Sequence, residues 1–282
     1  MAFLCKRFQI KNYWGWSPLT SSSSNLIYDC GVNTSETKTE SKTRKLDLDA
    51  CYNARDLGGY ETSQGARTRW GAFVRADSLY RLTPKGRANL HAHGVRTVID
   101  LRLPEELARE PNPFHGTSEL NFVHLSLINP THFPVLEDAI ANQGMLAWNL
   151  KMLALSRNEI THAMQTIAHA PEGGVLFHCY AGKDRTGLIS MFLLALAGVP
   201  QHTIAEDYNE SNIHLQPMNE EFVAKFDDPD TKQRVWKNLM SGTENMLKIQ
   251  TNLAEQYGGA ELYLREGGLS SDDINAIRAR LA

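Results

Sequence analysis

The 282-residue sequence has no apolar run long enough to cross a bilayer, few cysteines and no excess charge of one sign. Its longest apolar stretch, residues 188–199, is much shorter than the ~20 residues that a spanning helix needs, so it predicts a buried helix. Lys and Arg number 29 against 32 Asp and Glu, which gives no general electrostatic reason to expect a nucleic acid or an acidic membrane as partner. Any anionic substrate must be held by charge concentrated at one site.

The cysteines are far apart and follow no repeated spacing: Cys5, Cys30, Cys51 and Cys179. This pattern indicates neither a disulfide framework nor a zinc site, and a reducing, cytoplasmic location is the simpler expectation. The apolar residues 3–5 are followed at once by Lys6 and Arg7, which is the wrong order and length for a secretory signal. A transit peptide stays open for residues 1–28, since they contain basic and serine residues and no acid.

Two polar tracts, residues 20–24 and 34–45, lie near the N-terminus and bury too little apolar surface to offset the entropy of ordering. We therefore expect a flexible segment over residues 1–45. The remaining 237 residues contain no further linker of this kind and no internal repeat. They predict one catalytic domain over residues 46–282.

Strand-like runs alternate with helical patterns along this domain. Runs with strand character cover residues 71–79, 95–101, 122–127 and 175–179. Helical periodicity covers residues 84–93, 136–155, 159–169 and 184–199. The alternation predicts an α/β fold with a largely parallel sheet flanked by helices and a site at the carboxyl ends of the strands. Residues 201–282 read as helices almost throughout, an added C-terminal helical layer.

Residues 178–187, with the sequence HCYAGKDRTG, carry the chemistry. They start at the end of an apolar strand and finish at the start of a helix, so their backbone amides converge on one point and form an anion cradle. The amides and the helix dipole favour the thiolate of Cys179, and Arg185 adds a bidentate fork for phosphate oxygens. Gly182 and Gly187 allow tight curvature, and Thr186 is placed to donate its hydroxyl to the sulfur. The plainer alternative is an inert buried cysteine before an ordinary helix.

This segment resembles the phosphate loop of cysteine-dependent protein tyrosine phosphatases, whose signature is His-Cys, five residues, Arg, then Ser or Thr. The residues 53–60 (NARDLGGY), 75–79 (RADSL) and 98–102 (VIDLR), with Lys183-Asp184, resemble an atypical, mainly microbial subfamily. The resemblance covers about residues 47–282 and implies a tyrosine-phosphatase-like fold and a phosphomonoester phosphatase. Some members of the subfamily also act on phosphoserine, phosphothreonine and phosphoinositides.

The resemblance implies a two-step mechanism. The Cys179 thiolate attacks phosphorus while Arg185 and the loop amides hold the equatorial oxygens, and water then hydrolyses the cysteinyl-phosphate. No metal or other cofactor is expected, because the nucleophile is already ionised and the loop supplies positive charge. The residues expected to bind the substrate are Tyr180, Ala181, Gly182, Lys183, Asp184 and Thr186.

The leaving group needs a proton, and Asp100 at the end of a predicted strand is the candidate general acid. The resemblance implies this role through the Asp-Leu-Arg motif. The alternative is a strand-end aspartate that pairs with Arg102. Many other tyrosine phosphatases place the acid on a later loop, where Glu137 and Asp138 could serve.

The resemblance also suggests supporting roles. Lys183 would favour phosphoinositide head groups, unless it forms a solvent-facing ion pair with Asp184. Asp184 would orient its neighbours or handle protons. His178 is expected to pack beneath the loop, and Arg55 and Asp56 are expected to brace the loop from behind.

Residues 205–257 are either a surface helical layer or a lid over the site. If they form a lid, its underside would be Met218, Phe222, Phe226 and Trp236.

The expected partner is a phosphotyrosine-containing protein, and a phosphoinositide is the alternative. A sulfurtransferase and a phosphate-reading module without turnover are competing functions. Arg185 and Thr186 argue against the first, and intact Cys179 and Arg185 argue against the second.

Overall fold

A five-stranded mixed sheet forms the centre of this computed structural model, which describes residues 43–240 and 242–282. The strands are β1 (Arg55–Asp56), β2 (Phe73–Ala76), β3 (Val95–Asp100), β4 (Asn121–His124) and β5 (Gly174–His178). Their order in the sheet is β1-β2-β5-β3-β4. The last four run parallel and only the short β1 pairs antiparallel. The predicted α/β fold with a largely parallel sheet is confirmed.

Twelve helices lie along the described residues. The first six are α1 (Pro84–Ala92), α2 (Pro104–Arg109), α3 (Phe133–Asn142), α4 (Met145–Leu155), α5 (Arg157–Ala168) and α6 (Asp184–Leu196). The C-terminal layer holds α7 (Gln201–His214), α8 (Gln216–Ala224), α9 (Pro229–Leu239), α10 (Thr243–Tyr257), α11 (Ala260–Glu266) and α12 (Ser271–Leu281). Among the described residues, none of these helices has the length and apolar character to span a membrane.

The helices follow local sequence signals, with two differences from the prediction. The single helical stretch predicted over residues 136–155 is two helices, because Gly144 between them adopts a φ of +89° that a right-handed helix does not allow. Helix α2 was not predicted, although Pro104 at its first position is a common helix start. The prediction of α1 is confirmed, and the Thr83 hydroxyl accepts a hydrogen bond from Gly86 N at 3.1 Å.

Strand β5 is central and positions the site. It lies between β2 and β3, and its last residue, His178, is in register with Ala76 on one side and Asp100 on the other. The three parallel strands therefore end at the same edge. Cys179 and the loop that follows it start at that edge, between the segments after β2 and β3.

The C-terminal layer packs on the domain through buried apolar side chains. Met218, Phe222 and Phe226 are buried, as expected for an underside, but Trp236 is only half-buried. On α9 the fully buried residue is Val235, one position earlier. Because α9 is amphipathic, only its narrow apolar stripe faces inward, and Trp236 lies at the edge of that stripe.

Backbone contacts with the sheet begin at the start of the described residues. Asp56 N donates to Arg44 O at 2.8 Å, and Lys45 forms a bridge with Arg55. The segment expected to be flexible, residues 1–45, lies outside the described residues as far as residue 42, and the transit-peptide alternative, residues 1–28, lies wholly outside them. Arg44 and Lys45, at the end of that segment, instead pair with the backbone of β1. Residues 44–282 form one compact unit.

Candidate active site

The loop between β5 and α6 has every carbonyl from residue 179 to residue 183 held by a donor. Cys179 O accepts from His178 Nδ1 at 2.9 Å, and Tyr180 O accepts from Ser78 N at 2.9 Å. The next carbonyls, of Ala181, Gly182 and Lys183, accept from the side chains of Asn53 and Arg75. Since a trans peptide directs its N–H opposite to its C=O, the amides that follow these carbonyls point away from the donors. Such a row of outward carbonyls and inward amides is what an anion cradle requires.

Gly182 is required by the close approach of the loop to strand β2. Its φ is +65°, and a Cβ added there would lie 2.3 Å from Ala76 O. Any side chain at this position would push the loop off the strand. The glycine expected from curvature alone therefore also has a packing reason.

Cys179 occupies the first position of this loop with a free thiol that is 3% exposed. Helix α6 begins five residues later, and the positive end of its dipole favours an anion at the loop. The Thr186 hydroxyl is fully buried and makes no hydrogen bond with any described residue. Its predicted donation to the sulfur stays a prediction.

Arg185 is held by a carboxylate that sequence reasoning missed. Both terminal nitrogens of its guanidinium donate to Glu106, at 2.6 and 3.1 Å, and both side chains are buried. Burial alone would raise the pKa of Glu106, but Arg185 outweighs it and lowers this pKa to about 2. Glu106 lies on α2, so only the Pro104 helix signal could have drawn attention to it.

His178 packs beneath the loop, as expected, in a hydrogen-bonded row. Its Nδ1 donates to Cys179 O, and its Nε2 lies 2.9 Å from Asn112 Nδ2. Asn112 Nδ2 has hydrogens only, so Nε2 must accept and the imidazole is neutral. Burial lowers the pKa of His178, in agreement with this tautomer.

Asp100 also belongs to this row and faces Arg102. Its two oxygens accept from Arg102 Nε and Nη2 at 2.7 to 3.1 Å, and Asn112 Nδ2 donates to it at 3.2 Å. Burial alone would raise the pKa of Asp100, yet the charge and the hydrogen bonds of Arg102 hold it below the ordinary aspartate value. The structure thus gives Asp100 the Arg102 partner that the sequence left open as its alternative. The other two candidate acids, Glu137 and Asp138, lie on α3, where Asp138 accepts from Asn142 Nδ2 at 2.6 Å.

Lys183 and Asp184 point to the C-terminal layer. The Lys183 ammonium is buried and donates to Asn212 Oδ1 at 2.6 Å and to Leu239 O, so the alternative of a solvent-facing ion pair with Asp184 is wrong. Burial lowers the pKa of Lys183 to about 8. Asp184 accepts from the Tyr208 hydroxyl at 2.5 Å.

Of the two residues expected to brace the loop from behind, only Arg55 contacts a residue that holds the loop. Arg55 Nη1 donates to Asn53 Oδ1 at 2.5 Å, and Asn53 in turn holds the loop. Asp56 does not brace it: its carboxylate accepts from the amides of Gly58 and Gly71 and contacts His93. Neighbouring residues of a strand face opposite sides, so only one of the pair could reach the loop.

The described residues contain no cluster of three or more His, Cys, Asp or Glu side chains that could hold a metal ion. The charges near the loop are instead arranged as pairs of a guanidinium with a carboxylate, and the loop amides add their partial charges.

Known proteins resemble this chain over most of its length. The sequence profile described as "Tyrosine phosphatase family" matches residues 46–282. A protein named "Tyrosine-protein phosphatase" from Nostoc commune is 32% identical over 225 residues, which is 74% of either chain. The "Triple specificity protein phosphatase PtpB" of Mycobacterium tuberculosis is 27% identical over 276 residues, 83% of this chain and 98% of the relative. A crystal structure of TpbA from P. aeruginosa aligns with a TM-score of 0.32 at 16% identity, covering 64% of this chain and 88% of that one.

Proposed function

Because the chain belongs to the tyrosine phosphatase family, we propose that it hydrolyses phosphotyrosine in proteins through a cysteinyl-phosphate formed on Cys179. The observation that carries the proposal is the row of loop carbonyls from residue 179 to residue 183, each held by a donor. With these carbonyls held, the amide N–H groups of residues 180–184 are left to bind a phosphate next to the thiol. A fixed array of this kind stabilises charge that develops in the transition state without reorganising.

In the first step the Cys179 thiolate attacks phosphorus in line, the P–S bond forms and the P–O bond to the tyrosyl oxygen breaks. Glu106 engages one N–H on each terminal nitrogen of Arg185, and the remaining guanidinium N–H groups are available to the equatorial phosphate oxygens. In the second step water attacks phosphorus and the thiolate leaves. The buried Thr186 hydroxyl is the proposed donor to the departing sulfur.

For the proton that the tyrosyl oxygen takes, Asp100 stays our proposed donor. In the free enzyme it is an ionised partner of Arg102. A phosphate dianion bound at the loop would raise the pKa of this carboxyl, as a like charge does. The Asp100→Asn variant should lose far more activity on alkyl phosphates than on p-nitrophenyl phosphate, whose leaving group needs no proton. An equal loss on both would assign Asp100 to positioning instead.

The experiment that tests the proposed function is hydrolysis of a phosphotyrosine peptide by the wild type, Cys179→Ser and Cys51→Ser, with a chelator present. Cys51 is the matched control, because it is the other buried free thiol among the described residues and donates to Asp77 at 2.8 Å, as a serine could. We expect turnover by the wild type and by Cys51→Ser. Turnover that survives in Cys179→Ser would overturn the cysteine mechanism, and no turnover by folded wild type would overturn the function.

We propose that the substrate range extends to phosphoserine and phosphothreonine, since the M. tuberculosis relative is named for triple specificity. Phosphoinositide hydrolysis is the second candidate, and Lys183 is the residue that would favour it. With its ammonium on Asn212 and Leu239, Lys183 must leave both partners before it can meet a lipid phosphate. Parallel assays on phosphothreonine peptides and phosphoinositides rank these substrates. We further propose a cytoplasmic location, because the four cysteines are far apart in the sequence and follow no repeated spacing.

A further inference from the structure

A buried cluster of charges lies behind the phosphate loop and is not used by the chemistry above. It consists of Arg55 on β1, Arg75 on β2, Asp207 on α7 and the Tyr60 hydroxyl, all of them buried. Asp207 Oδ1 accepts from Arg55 Nε and from the Tyr60 hydroxyl, each at 2.9 Å. Its other oxygen accepts from Arg75 Nη1. One carboxylate therefore joins two guanidinium groups.

The electrostatics of the cluster depend on Asp207. Burial alone would raise the pKa of Asp207, but Arg55 and Arg75 hold it below the usual range, so the carboxylate is ionised. Burial and the like charge of Arg55 both lower the pKa of Arg75. The other nearby carboxylate, Glu210, is 3.9 Å from Arg55 Nε and partly exposed. Without Asp207, two buried cations would face each other with little compensation.

Both arginines hold the same stretch of the loop, Arg75 directly and Arg55 through Asn53. Arg75 Nη2 donates to Gly182 O at 2.7 Å and to Lys183 O at 3.3 Å. Arg55 acts through Asn53, whose Nδ2 donates to Ala181 O at 3.0 Å and to Gly182 O at 3.1 Å. Three consecutive peptide planes are thus fixed by two side chains. Asp207 holds one of these side chains, Arg75, directly. It holds the other, Asn53, through Arg55.

We infer that Asp207 is a positioning residue: its carboxylate orients Arg75 and Arg55 so that the amides of residues 182–184 stay directed at the phosphate and at the Cys179 sulfur. This inference rests on the proposed function. Asp207 touches neither group itself and acts from a helix 132 positions beyond Arg75 in the chain. Because the amides bind the transition state more tightly than the ground state, loss of their alignment lowers kcat more than it raises KM.

The test compares Asp207→Asn, which keeps the shape and removes the charge, with Glu210→Gln as matched control. Glu210 is on the same helix and contacts Arg55, but no contact joins it to Arg75 or the loop. We measure kcat and KM on a phosphotyrosine peptide, and the pH midpoint of Cys179 alkylation by iodoacetamide. For Asp207→Asn we expect a 10- to 100-fold lower kcat and a midpoint displaced from the wild-type value by about one pH unit, because the loop amides and the charges behind them both change. For Glu210→Gln we expect wild-type values of both.

The pH midpoint of Cys179 alkylation separates a positioning role from a merely structural one. It is measured on folded protein without substrate, so a loss of stability alone does not change it. A folded Asp207→Asn variant with wild-type kcat and midpoint would overturn the inference. Should that variant fail to fold, Arg75→Lys decides, since lysine keeps the charge but cannot reach Asp207 and two carbonyls together. An unmoved midpoint in Arg75→Lys would then overturn it. A shifted midpoint in a protein whose wild type hydrolyses no phosphate would refute the proposed function and leave the positioning role in place.

Discussion

Glu106 shows what a single buried carboxylate contributes at this site. Arg185 carries its charge in the interior, and a buried guanidinium without a partner is costly and poorly oriented. The bidentate pair with Glu106 fixes the plane of the guanidinium before any substrate arrives. The binding of phosphate then costs little side-chain entropy.

We expect Glu106→Gln to lower kcat/KM on phosphotyrosine peptides by about 10- to 100-fold, because Arg185 loses its fixed orientation. Glu105→Gln, one position earlier on α2 and exposed, is the matched control and should keep wild-type activity. Steady-state kinetics of the two variants make the comparison. Equal activity in both would show that the pair with Glu106 does not orient Arg185.

The same carboxylate makes stability depend on acid pH. The pKa of Glu106 is about 2 in the folded protein, against an ordinary value of 4.5. Its contribution to the free energy of unfolding is therefore complete above pH 4.5 and is lost as the pH falls toward 2. The shift corresponds to a contribution on the order of 3 kcal/mol at neutral pH. Urea unfolding of wild type and Glu106→Gln should therefore show a large difference at pH 7 and a smaller one at pH 3. A difference that grows on acidification would contradict the assignment.

At the scale of elements, Lys183 ties the phosphate loop to the C-terminal layer. Its ammonium meets Asn212 on α7 and the Leu239 carbonyl in the last turn of α9, where the helix dipole is negative. One residue of the loop thus bridges two helices of the region expected to be a layer or a lid. Because this contact joins α9 to the loop, we expect a displacement of α9 to disturb the loop.

We expect Lys183→Met to loosen α9, because the Leu239 carbonyl loses its donor. Hydrogen exchange followed by mass spectrometry should show faster exchange over residues 229–239 and unchanged exchange in α12. Lys248→Met is the control, since Lys248 is exposed and pairs only within its own helix, with Glu244. Unchanged exchange in α9 would mean that the contact does not hold it.

Local signals predict the loop and most elements, while long-range partners escape them. The strand, the turn and the helix around Cys179 are contiguous in the chain, so residues 178–187 reveal the cradle by themselves. Asp207 and Asn112 have no such signal, because each becomes a partner of the site only through the tertiary fold. Helix α2 was missed because a helix of six residues has too little periodicity to stand out, and Glu106 was missed with it.

At the scale of the whole molecule, the last helix closes the core. The side chains of Ile274, Ile277 and Leu281 are buried, and Arg280 donates to the carbonyls of Ala170, Pro171 and Gly173. Arg69 N also donates to Leu281 O, at 2.9 Å. Helix α12 is therefore part of the domain and not an appendage.

A chain ending at Gly268 should fail to fold stably, because it loses Leu269 together with the three buried aliphatic side chains of α12. Four such side chains at about 1.5–3 kcal/mol each amount to much of a typical domain's stability. Circular dichroism and thermal melting of the truncated chain test this. The full-length Asp272→Asn variant, which alters only an exposed residue of α12, is the control. A cooperative melt of the truncated chain near the wild-type temperature would contradict the assignment.

The central place of β5 has a consequence for synthesis on the ribosome. Strand β5 begins 98 residues after the end of β2 and 74 residues after the end of β3. These two strands do not pair with each other and must wait for β5 to come between them. Until residue 178 has left the exit tunnel, both strands expose unpaired edges, the kind of surface that invites aggregation. Because Cys179 is the next residue, we expect this proposed nucleophile to be exposed to solvent and oxidants until the sheet closes. Since long-range strand pairing is intrinsically slow to form, we expect the nascent chain, rather than the finished protein, to be the stage most exposed to aggregation.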